Sequence, residues 1–465
     1  MAGSRLLAAL GLEPSTVPVD GTVHPDFVSV VDALRWQLAA YPGGAAVCVY
    51  HRGKCVADLW GGDRDEAGRP WTLDTMAPSF STTKGVASTL VHVLADRGLL
   101  DYDAPIAAYW PEFAYGGKHA ITLRHVLAHQ SGLYHIRQMV DRAERMLDWD
   151  HMIHAIERAT PVHPPGMRTG YHGLTYGFLV GELVQRVTGK RFSQLVHDLI
   201  AEPLGLDGMY VGAPQAELGR AAKLIWSRQG FYRLLETGLV RIGGRELGEF
   251  VDVPARLVQQ ALDLVGVRLD LPSILDALAP RGIAAFDFGA EATLQVAIPA
   301  ANGLFTARAL ARMYAALACG GTLDGVRLLS PETLARATQV QAPAPARVVI
   351  PFDMRWRLGY HGVFTTQGVP RRAFGHFGFG GSGGWADPRR ELAVALIVNS
   401  GMGTPFGDLR IARIGGAALA GANRRHATAT MSHQVAAEAP RVAAAGKWVR
   451  SGSALPADPS DAGRP

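Results

Sequence analysis

Cysteine, long apolar runs and net charge are all scarce in this chain of 465 residues. Three cysteines are too few for a disulfide framework, so we expect free thiols in a reducing compartment. No apolar run approaches the roughly 20 residues of a membrane-spanning helix. The formal charge is +5, and residues 424–465 supply six Lys/Arg against three Asp/Glu, a net +3. The body of the chain therefore carries no basic footprint of nucleic-acid binding.

Signals for targeting, metals and cofactors are also missing. Residues 1–12 contain one arginine, a short apolar run and no small-residue cleavage site, which falls short of a secretory signal. We expect a cytoplasmic protein and leave peripheral membrane contact open. The chain has no H-E-x-x-H, C-x-x-C or phosphate-loop motif, and its histidines are not spaced as ligands. The sequence thus predicts neither a metal site nor a cofactor.

Strand-like and helical patterns divide the chain. Strand patterns lie near both ends and helical patterns lie between them, which predicts an α/β (α+β) fold with an antiparallel sheet packed by helices and an all-helical region. One predicted hairpin turns at Arg52-Gly53, with Cys55 facing Tyr50 rather than Cys48. We expect a leader over residues 1–25, one domain over 26–423 and a disordered tail over 424–465.

Residues 213–296 differ from the rest of the domain. They carry many apolar residues, including Trp226, Phe231 and Leu235, and we interpret them as a mostly helical insertion. One hypothesis makes this insertion a cap over the functional site, with those side chains as an apolar wall. The alternatives are that they only anchor the insertion to the body, or that they dock on a membrane surface.

The central chemical motif is Ser81-Thr82-Thr83-Lys84, which opens a strongly helical run. Residues three apart share a helix face, so Ser81 and Lys84 should be neighbours. A lysine with a pKa near 10.4 is not a base at neutral pH, but burial lowers that pKa and allows the amine to deprotonate the serine. Free N–H groups at the helix start would stabilise an oxyanion beside Ser81. A surface serine that caps a helix is the simpler alternative, and the apolar setting argues against it.

A second serine, Ser382, lies in Gly380-Gly381-Ser382-Gly383-Gly384, which matches the G-x-S-x-G nucleophile elbow. That elbow requires a helix directly after the serine, and the residues that follow Ser382 predict a turn and a strand. We therefore reject Ser382 as the nucleophile and predict a glycine-rich turn between two strands.

Four ordered blocks between His24 and Ala420 resemble the serine β-lactamase and penicillin-binding-protein superfamily, and more narrowly its family VIII carboxylesterases. The blocks are Ser81–Lys84, Ile121–Leu133, Pro165-Gly166 before Tyr171–Gly177, and Gly375–Gly378. The resemblance implies a β-lactamase/transpeptidase-like fold. It also implies that Ser81 is the acylated nucleophile, that Lys84 helps to deprotonate it and that Tyr171 is a second proton-transfer group, with phenolate and ammonium as a mutually stabilised pair.

The same resemblance places His376, Gly378 and Phe379 along the site, where lactamases carry K-T-G. The backbone N–H groups of Ser81 and Phe379 would then form the oxyanion hole. Two departures from the family pattern favour uncharged esters over penicillins. A neutral His376 replaces the lysine that holds a carboxylate, and Gly173 replaces the asparagine of Y-x-N that grips an acylamino group. His376 as an ordinary hydrogen-bonded histidine stays an alternative.

These observations predict a serine hydrolase that cleaves carboxylic esters, with a small-molecule or lipid-like ester as its partner. A β-lactamase or D,D-peptidase is the alternative among enzymes. The alternative from another class is a lactamase-like scaffold with weak activity that acts by assembly or lipid-surface contact. The presence of Ser81, Lys84 and Tyr171 together argues against the scaffold. The sequence leaves the oligomeric state open.

Overall fold

A seven-stranded antiparallel sheet joins the two ends of the chain in the computed structural model, which describes residues 17–226, 239–242, 251–254, 271–283, 285–350, 353–401 and 409–438. Only the backbone is described for residues 226, 239–242, 251–254, 271–272 and 426–438. The strands are β1 Asp20–Val23, β2 Gly44–His51, β3 Lys54–Gly62, β4 Ala77–Pro78, β5 Arg168–Gly170, β6 Met209–Tyr210, β7 Ile225–Trp226, β8 Leu239–Ile242, β9 Val251–Pro254, β10 Leu304–Phe305, β11 Thr322–Leu323, β12 Val326–Arg327, β13 Ala346–Val348, β14 His361–Gly362, β15 Phe374–Phe377, β16 Gly383–Asp387, β17 Leu392–Val398 and β18 Ser400–Gly401.

Helices cover both faces of this sheet. They are α1 Val28–Ala40, α2 Thr83–Asp96, α3 Leu123–Leu127, α4 Ile136–Met139, α5 Trp149–Arg158, α6 Thr175–Thr188, α7 Phe192–Val196, α8 Leu271–Leu278, α9 Glu291–Gln295, α10 Ala307–Ala318, α11 Pro331–Thr338 and α12 Leu409–Glu438. None of the helices in the described ranges is long and apolar enough to cross a membrane. The chain divides into two compact units, residues 1–424 and 425–465.

The strand order in the large sheet is β1-β3-β2-β17-β16-β15-β14, so the central pair comes from opposite ends of the sequence. Val47 and Val49 on β2, with Val394 and Leu396 on β17, face a core shared with α1 and α12. The alternate residues of the same strands face a larger core that contains α2, α6 and α10. This period-two alternation places the helix that carries Ser81 and Lys84 against the sheet. The predicted antiparallel α/β architecture is confirmed.

The predicted hairpin is present as β2 and β3, and Cys55 pairs with Tyr50 in its register. A bulge between Val49 and Tyr50 also brings the sulfur atoms of Cys48 and Cys55 to 3.8 Å from each other. The two side chains are therefore in contact, which the predicted register did not anticipate. All three cysteines are free thiols.

Two of the expected segments, the leader and the tail, differ from the structure. The predicted leader includes β1, which pairs with β3, because its backbone completes the sheet edge. The boundary expected between residues 423 and 424 lies one residue from the division between the two units, but the first part of the expected disordered tail belongs to α12, which continues to Glu438; residues 439–465 lie outside the described residues. Within residues 213–296, the described parts contain β7, β8 and β9 as well as α8, α9 and a 3₁₀ turn over Gln215–Arg220, and much of the segment lies outside the described residues, so a mostly helical insertion stays a prediction. Alternating sequences such as Val251-Asp-Val-Pro254 favour strands.

Candidate active site

Ser81 sits at the entrance to α2, in a short 3₁₀ turn over Phe80–Thr82. Phe80, directly before it, has a φ of 46°, a left-handed conformation that is costly for a bulky residue. The turn follows β4 and is tied to the loop before β10 by the bond from Ser79 N–H to Gly303 O, 2.8 Å. This strained, anchored turn presents the Ser81 hydroxyl at a helix start, where backbone N–H groups lack intrahelical partners.

Lys84 is fully buried one turn further along and lies next to Ser81, as the spacing predicts. Its Nζ is 3.0 Å from Ser81 Oγ and donates to Gly173 O at 2.7 Å and to Ala300 O at 2.9 Å. Burial holds the pKa of Lys84 well below its ordinary value of 10.5. In the neutral amine, the two carbonyls take both N–H groups and the lone pair is left for the Ser81 proton.

Tyr171 approaches the serine from a different part of the chain, the loop after β5. Its hydroxyl donates to Ser81 Oγ at 2.9 Å, and Lys84 Nζ lies 5.1 Å from the centre of its ring. Burial raises the pKa of Tyr171 above its usual value of 10. Burial thus disfavours both members of the expected phenolate–ammonium pair, and that pair stays a prediction.

Aromatic side chains hold Tyr171 in place. Trp356 stacks on it with 5.7 Å between ring centres and 15° between ring planes. His129 packs against both rings, 4.9 Å from Tyr171 and 4.4 Å from Trp356. Trp356 lies in none of the four sequence blocks, and His129 lies in the Ile121–Leu133 block without having been assigned to the site. Both reach Tyr171 through contacts between distant segments.

The backbone around Tyr171 is fixed by a buried Ser131–His172 pair. His172 Nδ1 is 2.7 Å from Gly170 O, a carbonyl that can only accept, so Nε2 accepts a hydrogen bond from the Ser131 hydroxyl at 2.6 Å. His172 N–H also donates to His129 Nδ1 at 3.2 Å. Burial lowers the pKa of His172 to about 3, so the ring is neutral at physiological pH. Both side chains are fully buried and position Tyr171 rather than meeting a substrate.

His376 is only 2% exposed and lies behind the site, 6.3 Å from Tyr171 and 4.8 Å from His361 between ring centres. Burial, with smaller contributions from His361 and Lys84, holds the pKa of His376 well below 6.5. A neutral, buried ring at this position is unsuited to hold a carboxylate. Its Nδ1 is 3.0 Å from Phe377 O. This contact fits the alternative in which His376 is an ordinary hydrogen-bonded histidine.

Gly378 and Phe379 follow β15 and pass against the serine turn. A Cβ on Gly378 would lie 2.3 Å from Ser79 O, so only glycine allows this approach. Gly378 N–H donates to Ser382 O at 2.7 Å, while the Phe379 ring packs edge-on against Phe80 at 5.8 Å. The segment thus brings residue 379 beside the turn that carries Ser81.

A pocket of about 510 Å³ opens beside the Ser81 hydroxyl. It is lined by Phe80, Ser81, Tyr171, Gly173, Leu174, Leu278, Ile283, Phe288, Ala301 and Phe379. His376 and Gly378 are not among these described lining residues. Leu278, Ile283 and Phe288 come from the insertion, and Phe288 packs edge-on against Phe80 at 5.3 Å. The side chain of Trp226 and all of Phe231 and Leu235, which we expected to form this wall, lie outside the described residues.

Ser382 does not share this environment. Its hydroxyl is buried and accepts a hydrogen bond from Val398 N–H at 3.1 Å, and Gly380 and Gly381 before it have positive φ. Strand β16 follows at Gly383, so no helix begins there. The predicted glycine-rich turn between strands is confirmed, and the nucleophile elbow is absent at this place.

Comparisons with known proteins agree with this geometry. Residues 37–419 match the family model described as Beta-lactamase. The esterase/beta-lactamase LipL of Mycobacterium tuberculosis is 37% identical over 390 residues, 82% of this chain and 83% of that protein. A penicillin-binding protein homolog from Caulobacter crescentus (TM-score 0.73) and a family VIII carboxylesterase (TM-score 0.71) are each 32% identical. Both structures align with 87% of this chain and with 100% of their own.

The fold and site thus define a penicillin-binding-protein-like serine hydrolase architecture. The chain belongs to the beta-lactamase family.

Proposed function

We propose that the protein hydrolyses carboxylic esters through an acyl-enzyme on Ser81. The observation that carries the proposal is the contact of one hydroxyl with two proton-transfer groups, Lys84 at 3.0 Å and Tyr171 at 2.9 Å. Relatives named esterase or carboxylesterase support the same reaction class. The roles of the individual residues are our assignment.

In the first half of the reaction, Lys84 takes the Ser81 proton while Oγ bonds to the ester carbonyl carbon. The N–H groups of Ser81 and Phe379 would donate to the developing oxyanion; losing one such donor typically costs about 10²–10³ in rate. Tyr171 then protonates the departing alkoxide, and the ammonium of Lys84 restores the phenol proton. In the second half, water loses a proton to the same pair and bonds to the acyl carbon. The bond between that carbon and Ser81 Oγ then breaks, the pair returns the proton to Oγ, and the acid leaves.

An uncharged ester suits the described walls of the pocket. They carry no charged side chain, and the nearby histidines, His376 and His361, are kept neutral by burial, which lowers the pKa of His361 to about 4. A carboxylate in this pocket would lose its hydration without gaining a cation. We propose that the insertion acts as a cap through Leu278, Ile283 and Phe288.

We propose that the substrates are small-molecule or lipid-like esters and that the protein is located in the cytoplasm. The three free cysteines support a reducing compartment. Cell fractionation followed by a wash of the membranes tests this location. A cytoplasmic protein should appear in the supernatant, whereas a peripherally bound protein should stay on the membranes until salt or alkali removes it.

The test compares covalent labelling and turnover in two serine variants. A fluorophosphonate probe should add to Ser81 in the wild type, and Ser81→Ala should lose both the adduct and hydrolysis of p-nitrophenyl butyrate. Ser382→Ala is the matched control and should keep the adduct. An adduct that mass spectrometry places on Ser382 overturns the proposal. Turnover of nitrocefin without turnover of esters supports the β-lactamase alternative, and a folded protein that never labels supports the scaffold.

A further inference from the structure

We propose that helix α8 of the insertion makes the Ser81 pocket selective for hydrocarbon acyl chains and against acyl chains that carry an amide. Leu278 is the specificity-determining residue. This inference rests on the proposed ester hydrolysis, since it names the acyl group that the same site accepts.

The end of α8 fills the space beside Gly173. A Cβ built on Gly173 would lie 2.3 Å from a methyl carbon of Leu278 and 2.6 Å from Ala277 O. Any side chain at residue 173 would therefore collide with the helix, including one long enough to offer an amide to the substrate. The half-buried side chain of Leu278 takes that place and lines the pocket itself. The insertion thus places the hydrocarbon side chain of Leu278 where the family pattern has the amide side chain of an asparagine.

Three backbone groups of this wall are already paired. Gly173 O accepts from Lys84 Nζ at 2.7 Å, and Leu174 O accepts from Gly177 N–H at 3.2 Å. On the opposite side, Ala301 N–H donates to Ile298 O at 2.8 Å. The polar side chains among the described lining residues are Ser81 and Tyr171, and both are engaged in the reaction centre. An amide in the substrate would leave water here and find these groups already occupied.

The acyl chain is the part of the ester that this wall contacts. It stays attached to Ser81 after the alcohol has left, and Ser81 lines the same cavity as Leu278, Ile283 and Phe288. Their side chains, with Phe80, offer packing surface to methylene groups along the chain. An unpaired amide at the same depth should lower kcat/KM by about 10-fold or more relative to a hydrocarbon of equal length.

The experiment compares p-nitrophenyl pentanoate with p-nitrophenyl N-acetylglycinate, which share a leaving group and a chain length. Each kcat/KM is divided by the rate constant of hydroxide-catalysed hydrolysis, which removes the higher intrinsic reactivity of the amide ester. The wild-type enzyme should prefer pentanoate by about 10-fold or more after this correction. Leu278→Asn should reduce the preference severalfold, whereas the matched variant Leu278→Met should retain it.

The outcomes separate the two proposals. If neither ester is hydrolysed and the probe does not label Ser81, the proposed function fails. If both are hydrolysed with equal corrected kcat/KM, or the amide ester is preferred, the selectivity inference is overturned while ester hydrolysis stands. A wild-type preference that Leu278→Asn leaves unchanged in a folded, probe-reactive protein overturns the assignment to Leu278.

Discussion

Lys84 Nζ lies 3.0 Å from Ser81 Oγ while two backbone carbonyls, of Gly173 and Ala300, occupy its other bonding directions. This arrangement suits a neutral amine, which has two N–H groups to donate and one lone pair to receive a proton. The carbonyls come from the loop after Tyr171 and from the segment before β10, so three distant parts of the chain define the orientation of one base. Burial lowers the pKa of Lys84 and so favours the neutral form of the amine, which is the form that can accept the Ser81 proton.

The first prediction concerns the pH dependence of ester hydrolysis. Lys84 must be neutral to accept the Ser81 proton, and burial lowers its pKa. Hence kcat/KM should rise with pH through one ionisation below 10.5 and then level off. Burial raises the pKa of Tyr171, so its deprotonation should not lower the rate at any pH up to 10. A stopped-assay profile between pH 5 and 10 measures this, and a falling limb below pH 9 in a stable protein would contradict it.

The second prediction separates the two proton-transfer groups. Lys84→Ala and Tyr171→Phe should each lower kcat by about 10² or more with much smaller changes in KM, because both act in the chemical step. Tyr171→Phe keeps the stacking surface against Trp356 and removes only the hydroxyl, so a large loss isolates the proton transfer. A near-wild-type kcat in either variant would remove that residue from the mechanism.

The third prediction concerns stability rather than rate. A lysine that is neutral when folded and charged when unfolded binds a proton only in the unfolded state. Stability should therefore rise with pH from the lowered folded pKa to about 10.5, with a slope of up to about 1.4 kcal/mol per pH unit. Urea denaturation of the wild type and of Lys84→Met at several pH values isolates this contribution. Equal slopes in the two proteins would mean that Lys84 stays charged in the folded state.

Much of the site could be predicted because it depends on local sequence. The three-residue spacing gave the Ser81–Lys84 contact, and the residues after Ser382 correctly predicted that no helix begins there. The strand-like runs Ala45–Tyr50 and Cys55–Leu59 on either side of the Arg52-Gly53 turn predicted the hairpin. These features need only neighbours along the chain, where helix and strand geometry fix which side chains meet.

Features set by contacts between distant segments were missed. Residues 136–160 have a helical sequence pattern but form α4, a short 3₁₀ turn and α5 rather than one helix, since Val140 is extended and Asp148 caps a new helix through His151 N–H. The stacking of Trp356 and the place of Leu278 beside Gly173 depend on loops that meet only in the folded chain. The neutral state of Tyr171 follows from burial, which the sequence alone does not give.

The fourth prediction tests the Ser131–His172 pair as positioning residues. Ser131→Ala leaves His172 Nε2 buried without its donor, which should cost about 1–3 kcal/mol of stability. The Tyr171 loop should then loosen, so kcat should fall by roughly 10-fold with little change in KM. Ser29→Ala, which loses a hydrogen bond to Ala417 O far from the site, is the matched control and should leave kcat unchanged. An unchanged kcat in a Ser131→Ala protein of reduced stability would assign the pair a structural role alone.

The fifth prediction concerns the packing of α2 against α10 next to the base. A Cβ on Gly85 would lie 2.1 Å from the hydroxyl of Tyr314 and 3.3 Å from the ring carbon that bears it. Gly85→Ala should therefore destabilise the protein by about 1–3 kcal/mol through overpacking, although alanine favours a helix by roughly 0.5–1 kcal/mol.

Tyr314→Phe removes the clashing oxygen. The double variant should be more stable than Gly85→Ala alone, with a coupling of about 1 kcal/mol or more in a double-mutant cycle measured by urea denaturation. Since Gly85 follows Lys84 directly, Gly85→Ala should also lower kcat, and adding Tyr314→Phe should restore it. Additive free energies of unfolding, with no recovery of kcat, would show that the hydroxyl does not set the space available at residue 85.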